Sequence, residues 1–208
     1  TAKAARIAAA HCTEPIGLAD APVIQKDFPV VSGNDPRGIS LAEKHRLLAH
    51  YSEIALSVPE VLMTQFMYSD SFSHRTFVST EGTAVGYDHL ISHILGVIVG
   101  RRGDAVRRGF FAVGGSGDYG RLLDREELLR QSLNELDELL GAQPVKAGIF
   151  PVVLDPYGAG IFIHEAFGHT SEADHALQYP MIREVLARGN EIASPILNVF
   201  DDPTIPDR

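Results

Sequence analysis

Between residues 60 and 113, runs of β-branched and aromatic residues alternate with turn residues, and this stretch constrains the fold more than any other. The runs cover residues 61–68, 75–80, 83–99 with breaks, and 106–113. Ser79 to Gly82 and Arg101 to Asp104 carry hairpin-turn chemistry, so an antiparallel meander is the economical topology. A sheet of this kind needs helices to cover one face.

Two helices flank it. Ser40 with Glu43 forms a capping box, and Leu41, Leu47, Leu48 and Ile54 follow on a helix to about Ser57. Asp124 with Glu127 caps the next, on which Leu129, Leu133, Leu136 and Leu140 recur at helical spacing until Gly141. Upstream, the Ala-rich opening to Cys12 predicts a helix, and residues 17–38, with prolines among Gly, Asn and Asp, predict an extended connector. Residues 144–148 mark the best boundary and divide the chain into domains 1–143 and 144–208. Beyond it, 149–154 predict a buried strand, Asp155 an N-cap with Pro156 as first helical residue, and 193–200 a second strand before Asp201, Asp202 and Pro203. The class is α+β. The chain starts without Met and stops at Arg208 just after a strand and turn, so both ends read as cuts.

Composition excludes several functions. The 208 residues are 45% hydrophobic and 22% charged, as expected for a packed globular chain. A formal net charge of -9 repels polyanions at long range, which argues against direct nucleic-acid or anionic-membrane binding. The longest apolar run, residues 90–99, is interrupted by Ser92, His93 and Gly96 and is too short to span a bilayer. A single cysteine, Cys12, excludes an internal disulfide and suits the cytoplasm.

The chemistry concentrates at His164, Glu165 and His169, which fall inside the helix that Asp155 opens. Two imidazoles and a neighbouring carboxylate are two candidate metal ligands and one candidate general base, the minimal kit for polarising water against an amide. Histidines four apart share one face of a helix, but here the spacing is five. On an ideal α-helix that separates them by roughly 140°. A π-type turn would return both rings to one side, and Gly168 offers backbone freedom for it. Glu172, Asp174 and His175 are close enough to serve as further ligands, supporting groups or a solvated face. Taken alone, the string fits a capped helix with two polar histidines equally well.

Other candidates have simpler explanations. Gly114 to Gly120 lacks the Lys-Ser/Thr ending of a phosphate loop and reads as a flexible loop. His89 and His93 read as sheet residues, His11 and Cys12 point apart on a helix, and Glu81 with Gly82 is hairpin chemistry.

Residues 148–174, with Ile192 to Pro195 and Val199 to Thr204, resemble the TldD/PmbA family of metallopeptidases, a family also described as modulators of DNA gyrase. Ser79 to Thr83 and Gly114 to Gly120 resemble its upstream region in the expected order. The resemblance implies a partial amino-terminal domain with an antiparallel sheet, then the beginning of a β-rich carboxy-terminal catalytic domain carrying the motif helix. It implies zinc held by His164, His169 and a cysteine much later in the chain, with Glu165 as the catalytic glutamate. Cys12 does not match that cysteine, so zinc is expected in the intact protein and weak or absent binding in this chain. Peptide substrates, unfolded or small, and a homodimer or a heterodimer with a related family member are implied as well. The alternative is a non-catalytic dimerisation or regulatory subunit without functional metal.

Overall fold

The computed structural model describes residues 2–11, 20–30, 32–187, 189–200 and 202. Cys12, Asp201 and Pro203 lie outside the described residues. The chain divides into two compact units, one up to Ala142 and one over Gln143–Pro206.

In the first unit, helix α1 (Ala2–Ala10) is exposed along its length, and strand β1 (Gln25–Phe28) follows. Helix α2 (Leu41–Leu56) begins at Ser40, whose side chain accepts from the Glu43 N–H. Then come β2 (Val61–Val78), β3 (Ala84–Arg102), β4 (Ala105–Ser116) and helix α3 (Glu126–Gly141). β2, β3 and β4 form the antiparallel meander, turning at Gly82 (φ 101°) and Gly103 (φ 59°), where a left-handed backbone favours glycine.

β3 is the spine of the sheet. One of its edges is covered by β2 from Ala84 to Gly100, and the other is shared. β4 pairs with Ile91 to Arg102, and the edge it leaves free at Ala84 to Tyr87 is taken by β1, running parallel. The sheet is therefore mixed. The connector expected at 17–38 contains this short strand, whose partner lies 59 positions downstream, Gln25 against Ala84. β2 is likewise continuous where a break was expected between 68 and 75, because Ser69 to His74 are held in register by His93 to Asp88. A ladder partner overrides weak β propensity.

Side chains on β3 alternate, with Leu90, Ser92, Ile94, Gly96, Ile98 and Gly100 all on the buried face. α2 and α3 pack on that face and on each other, enclosing Tyr51, Ala55, Ile94, Ile98, Phe111 and the leucines at 129, 133, 136 and 140. The α3 leucine stripe is buried as its spacing predicts. The opposite face leaves Met63, Met67, Leu95 and Phe110 exposed. α3 starts later than its cap signature suggests: Arg125 holds the N-cap position without a side-chain bond, and Asp124 adopts φ 56°. Asp tolerates that left-handed conformation, and Glu126 and Glu127 complement the helix dipole instead. The glycine-rich run is also ordered, as the end of β4 and a 3₁₀ turn (Tyr119–Leu122) whose cap, Asp118, accepts from the Gly120 N–H.

Among the described residues of the second unit, the regular elements are all helical. Helix α4 (Pro156–Ile163) leads into a π turn (His164–Gly168) and a 3₁₀ turn (His169–Ser171), followed by α5 (Ala173–Gln178) and α6 (Pro180–Val185). The strands expected at 149–154 and 193–200 do not form. An apolar run becomes a strand only with a ladder partner, and no described residue of this unit supplies one; Ile149 and Val153 are fully exposed. The α+β class stands. Among the described residues, no helix is long and apolar enough to cross a membrane.

Candidate metal centre

Asp155 opens the motif helix as its sequence predicts, accepting from the Gly158 N–H at 2.6 Å, with Pro156 in the first turn where no backbone donor is needed. The helix stays α-helical through Ile163. The His169 N–H then bonds to the His164 carbonyl five residues back, which defines the π turn. Widening the turn removes the angular offset that a five-residue spacing creates on an α-helix.

The imidazoles of His164 and His169 consequently meet edge to face, their centroids 4.5 Å apart. One donor atom each from His164, Glu165 and His169 lies within 4.8 Å of the others. Glu165 Oε2 is 3.8 Å from His169 Nε2. All three residues are exposed. Two imidazoles beside a carboxylate are a donor set that suits zinc.

Glu172 and His175 both bond to His169. Its Nδ1 is 2.6 Å from Glu172 Oε1, and its carbonyl accepts from His175 Nδ1 at 2.7 Å. The hydrogen bond to Glu172, with the charges of Glu172 and Glu165, raises the pKa of His169 above the ordinary histidine range. Glu172, Asp174 and His175 also bring donor atoms within 4.8 Å of one another. The sequence places these residues nearby but assigns them no task; the signal is the three-residue interval from His169 to Glu172, which becomes informative once the local turn is known to be 3₁₀.

Along the motif helix lies an apolar cavity of about 460 Å³, lined by Phe162, Ile163, Ala166 and Phe167 and, from the irregular segment 190–199, by Ile192 and Pro195. His89 and His93, set aside as sheet residues, are both in β3.

Two family models match the chain: the PmbA/TldA metallopeptidase central domain over residues 34–142, and the PmbA/TldA metallopeptidase C-terminal domain over residues 147–208. Similar proteins include a metalloprotease of Methanothermobacter thermautotrophicus, 36% identical over 89% of this chain and 40% of its own length. A metalloprotease of Synechocystis is 31% identical over 89% of this chain and 40% of its own. A zinc metalloprotease TldD homolog of Saccharolobus solfataricus is 29% identical over 74% of this chain and 34% of its own. The chain thus spans about 40% of the length of the first two. A solved structure of a candidate DNA gyrase modulator from Thermotoga maritima superposes on 61% of this chain and 29% of its own, with a TM-score of 0.49 and 19% identity. With the central-domain model matching more than half of the chain and the Methanothermobacter relative matching 89% of it, the chain belongs to the PmbA/TldD family of metallopeptidases.

Proposed function

We propose that this chain carries the metal-binding helix of a zinc-dependent peptidase subunit that hydrolyses unfolded or small peptides with an activated water. The observation that supports it is the convergence of His164, Glu165 and His169 on one π turn. His164 and His169 would hold the ion, and the zinc in the name of the Saccharolobus relative favours that metal. Bound there, zinc supplies Lewis acidity toward the water and the scissile carbonyl. The third protein ligand that a catalytic zinc site needs would come from the later cysteine that the family resemblance implies.

Glu165 is the base. Its carboxylate sits beside the two rings, 3.8 Å from His169 Nε2, and its role is to take a proton from the attacking water and return it to the departing amine. The apolar cavity lined by Phe162, Ala166 and Phe167 offers a concave surface for a hydrophobic substrate side chain. The subunit would act in the cytoplasm, as a homodimer or with a related family member, readings supported by the lone cysteine and by the family resemblance.

Metal analysis of the intact protein tests this. About one zinc per chain is expected, as for a site with a single catalytic ion. His164→Ala and His169→Ala should each lose it, and full retention in either variant would sink the assignment.

A further inference from the structure

We propose that Glu172 is a positioning residue for this centre: it fixes His169 with hydrogen on Nδ1 and so presents the Nε2 lone pair to the metal. The inference rests on the zinc reading and deepens it.

Two changes of helical pitch create the arrangement. The π turn brings His169 back under His164. Directly afterwards the chain tightens into a 3₁₀ turn, in which side chains three positions apart eclipse one another. Glu172 follows His169 by that interval, and its N–H bonds to the His169 carbonyl at 3.3 Å as the turn closes. Its carboxylate therefore lands on the near edge of the imidazole, 2.6 Å from Nδ1.

The polarity of this contact is determined by its chemistry. A carboxylate only accepts, so Nδ1 must carry the hydrogen. In a neutral imidazole the lone pair then resides on Nε2. That nitrogen faces Glu165, 3.8 Å from Oε2, on the side where the three donor atoms converge. The two ring nitrogens point well apart, so a carboxylate bonded at Nδ1 cannot ligate an ion held at Nε2. Glu172 is thereby excluded as the third ligand and given a different task. His175 secures the same residue from the backbone side by donating from Nδ1 to the His169 carbonyl. Carboxylates behind ligating histidines orient the ring and raise its basicity, and their loss costs about 10–100-fold in metal affinity.

Two measurements on the intact protein test the role. Imidazole ¹⁵N–¹H correlation spectra of the zinc-free protein should report hydrogen on Nδ1 of His169 in the wild type and a shift toward the Nε2–H form in Glu172→Ala. Zinc affinity by chelator competition should fall about 10–100-fold in Glu172→Ala, and recover most of that in Glu172→Gln, which keeps an acceptor oxygen. An unchanged tautomer, or an unchanged affinity, in Glu172→Ala overturns the proposal. If His169→Ala binds zinc as tightly as the wild type, the centre itself fails; if His169→Ala loses zinc while Glu172→Ala does not, only the positioning role fails.

Discussion

His164 and His169 stand five positions apart, yet their rings meet at 4.5 Å with an interplanar angle of 68° because the helix widens by one residue between them. Gly168 is not what permits this. Its φ of −55° and ψ of −58° are ordinary helical values, and a Cβ there would meet His164 Nδ1 at 3.7 Å, a normal contact. The backbone-freedom argument for this glycine is therefore unnecessary. Gly168→Ala should retain zinc and change stability by no more than about 0.5 kcal/mol. Metal stoichiometry and thermal melts check this; loss of zinc in Gly168→Ala would show that the π turn does require glycine.

Glu165 lies beside the two histidines, and its side chain is 65% exposed, so substitution there disturbs little packing. Glu165→Gln removes the basic oxygen while keeping size and shape. In the intact protein it should keep its zinc and lose peptide hydrolysis by about 10²–10⁴-fold, the usual contribution of a general base. Parallel metal and peptidase assays distinguish the outcomes. Undiminished turnover would remove Glu165 from the mechanism, and lost zinc would make it a ligand instead.

Gly96 is flanked in register by Phe66 on β2 and Phe111 on β4, whose rings meet edge to face at 5.8 Å. A Cβ on Gly96 would fall 2.3 Å from a Phe66 ring carbon. Gly96→Ala forces that ring aside in the centre of the sheet, and overpacking of this kind costs about 1–3 kcal/mol. Urea denaturation measures the loss, and Gly96→Ala combined with Phe66→Leu should recover part of it. No loss in the single variant would mean that the sheet shifts freely here.

What could be read from the residues was whatever repeats locally. The Ser40 cap and the α3 leucines depend on neighbours three or four positions away, and both appear as expected. The π turn was legible for a related reason: a five-residue spacing conflicts with an α-helix and leaves few alternatives. Non-local pairing was hidden. β1 has four exposed residues and a partner near residue 84, and the polar centre of β2 is a strand only because β3 lies beside it. The reverse error arose at 149–154, where apolar residues lack a ladder partner among the described residues. Asp124 shows a third limit, since a cap signature also fits a left-handed residue placed just before the helix. Glu172 could not be assigned until the 3₁₀ turn placed it on His169.

Lys44 is a charged residue buried between α2 and β2, 8% exposed, with its Nζ 2.7 Å from Asp70 Oδ2 and 4.9 Å from the centre of the Tyr68 ring. Burial pushes the Asp70 carboxyl up, but the Lys44 hydrogen bond, the Tyr68 hydroxyl and the Lys44 charge together prevail and hold it below the ordinary carboxylate range. A carboxyl whose folded value is depressed contributes stability that is fully present above its unfolded value, near 3.9, and is lost as pH falls through the folded value. Asp70→Asn leaves Lys44 without its counter-charge. The pair is only partly buried, so the cost should fall between those of surface and fully buried pairs, about 1–3 kcal/mol at neutral pH. The gap between wild type and Asp70→Asn should then close as pH drops below about 4, because the wild type protonates the group that the variant lacks. Urea midpoints followed by circular dichroism between pH 7 and pH 3 read this directly. A gap that persists or widens in acid would show that the Lys44 to Asp70 contact does not stabilise the fold through its charge.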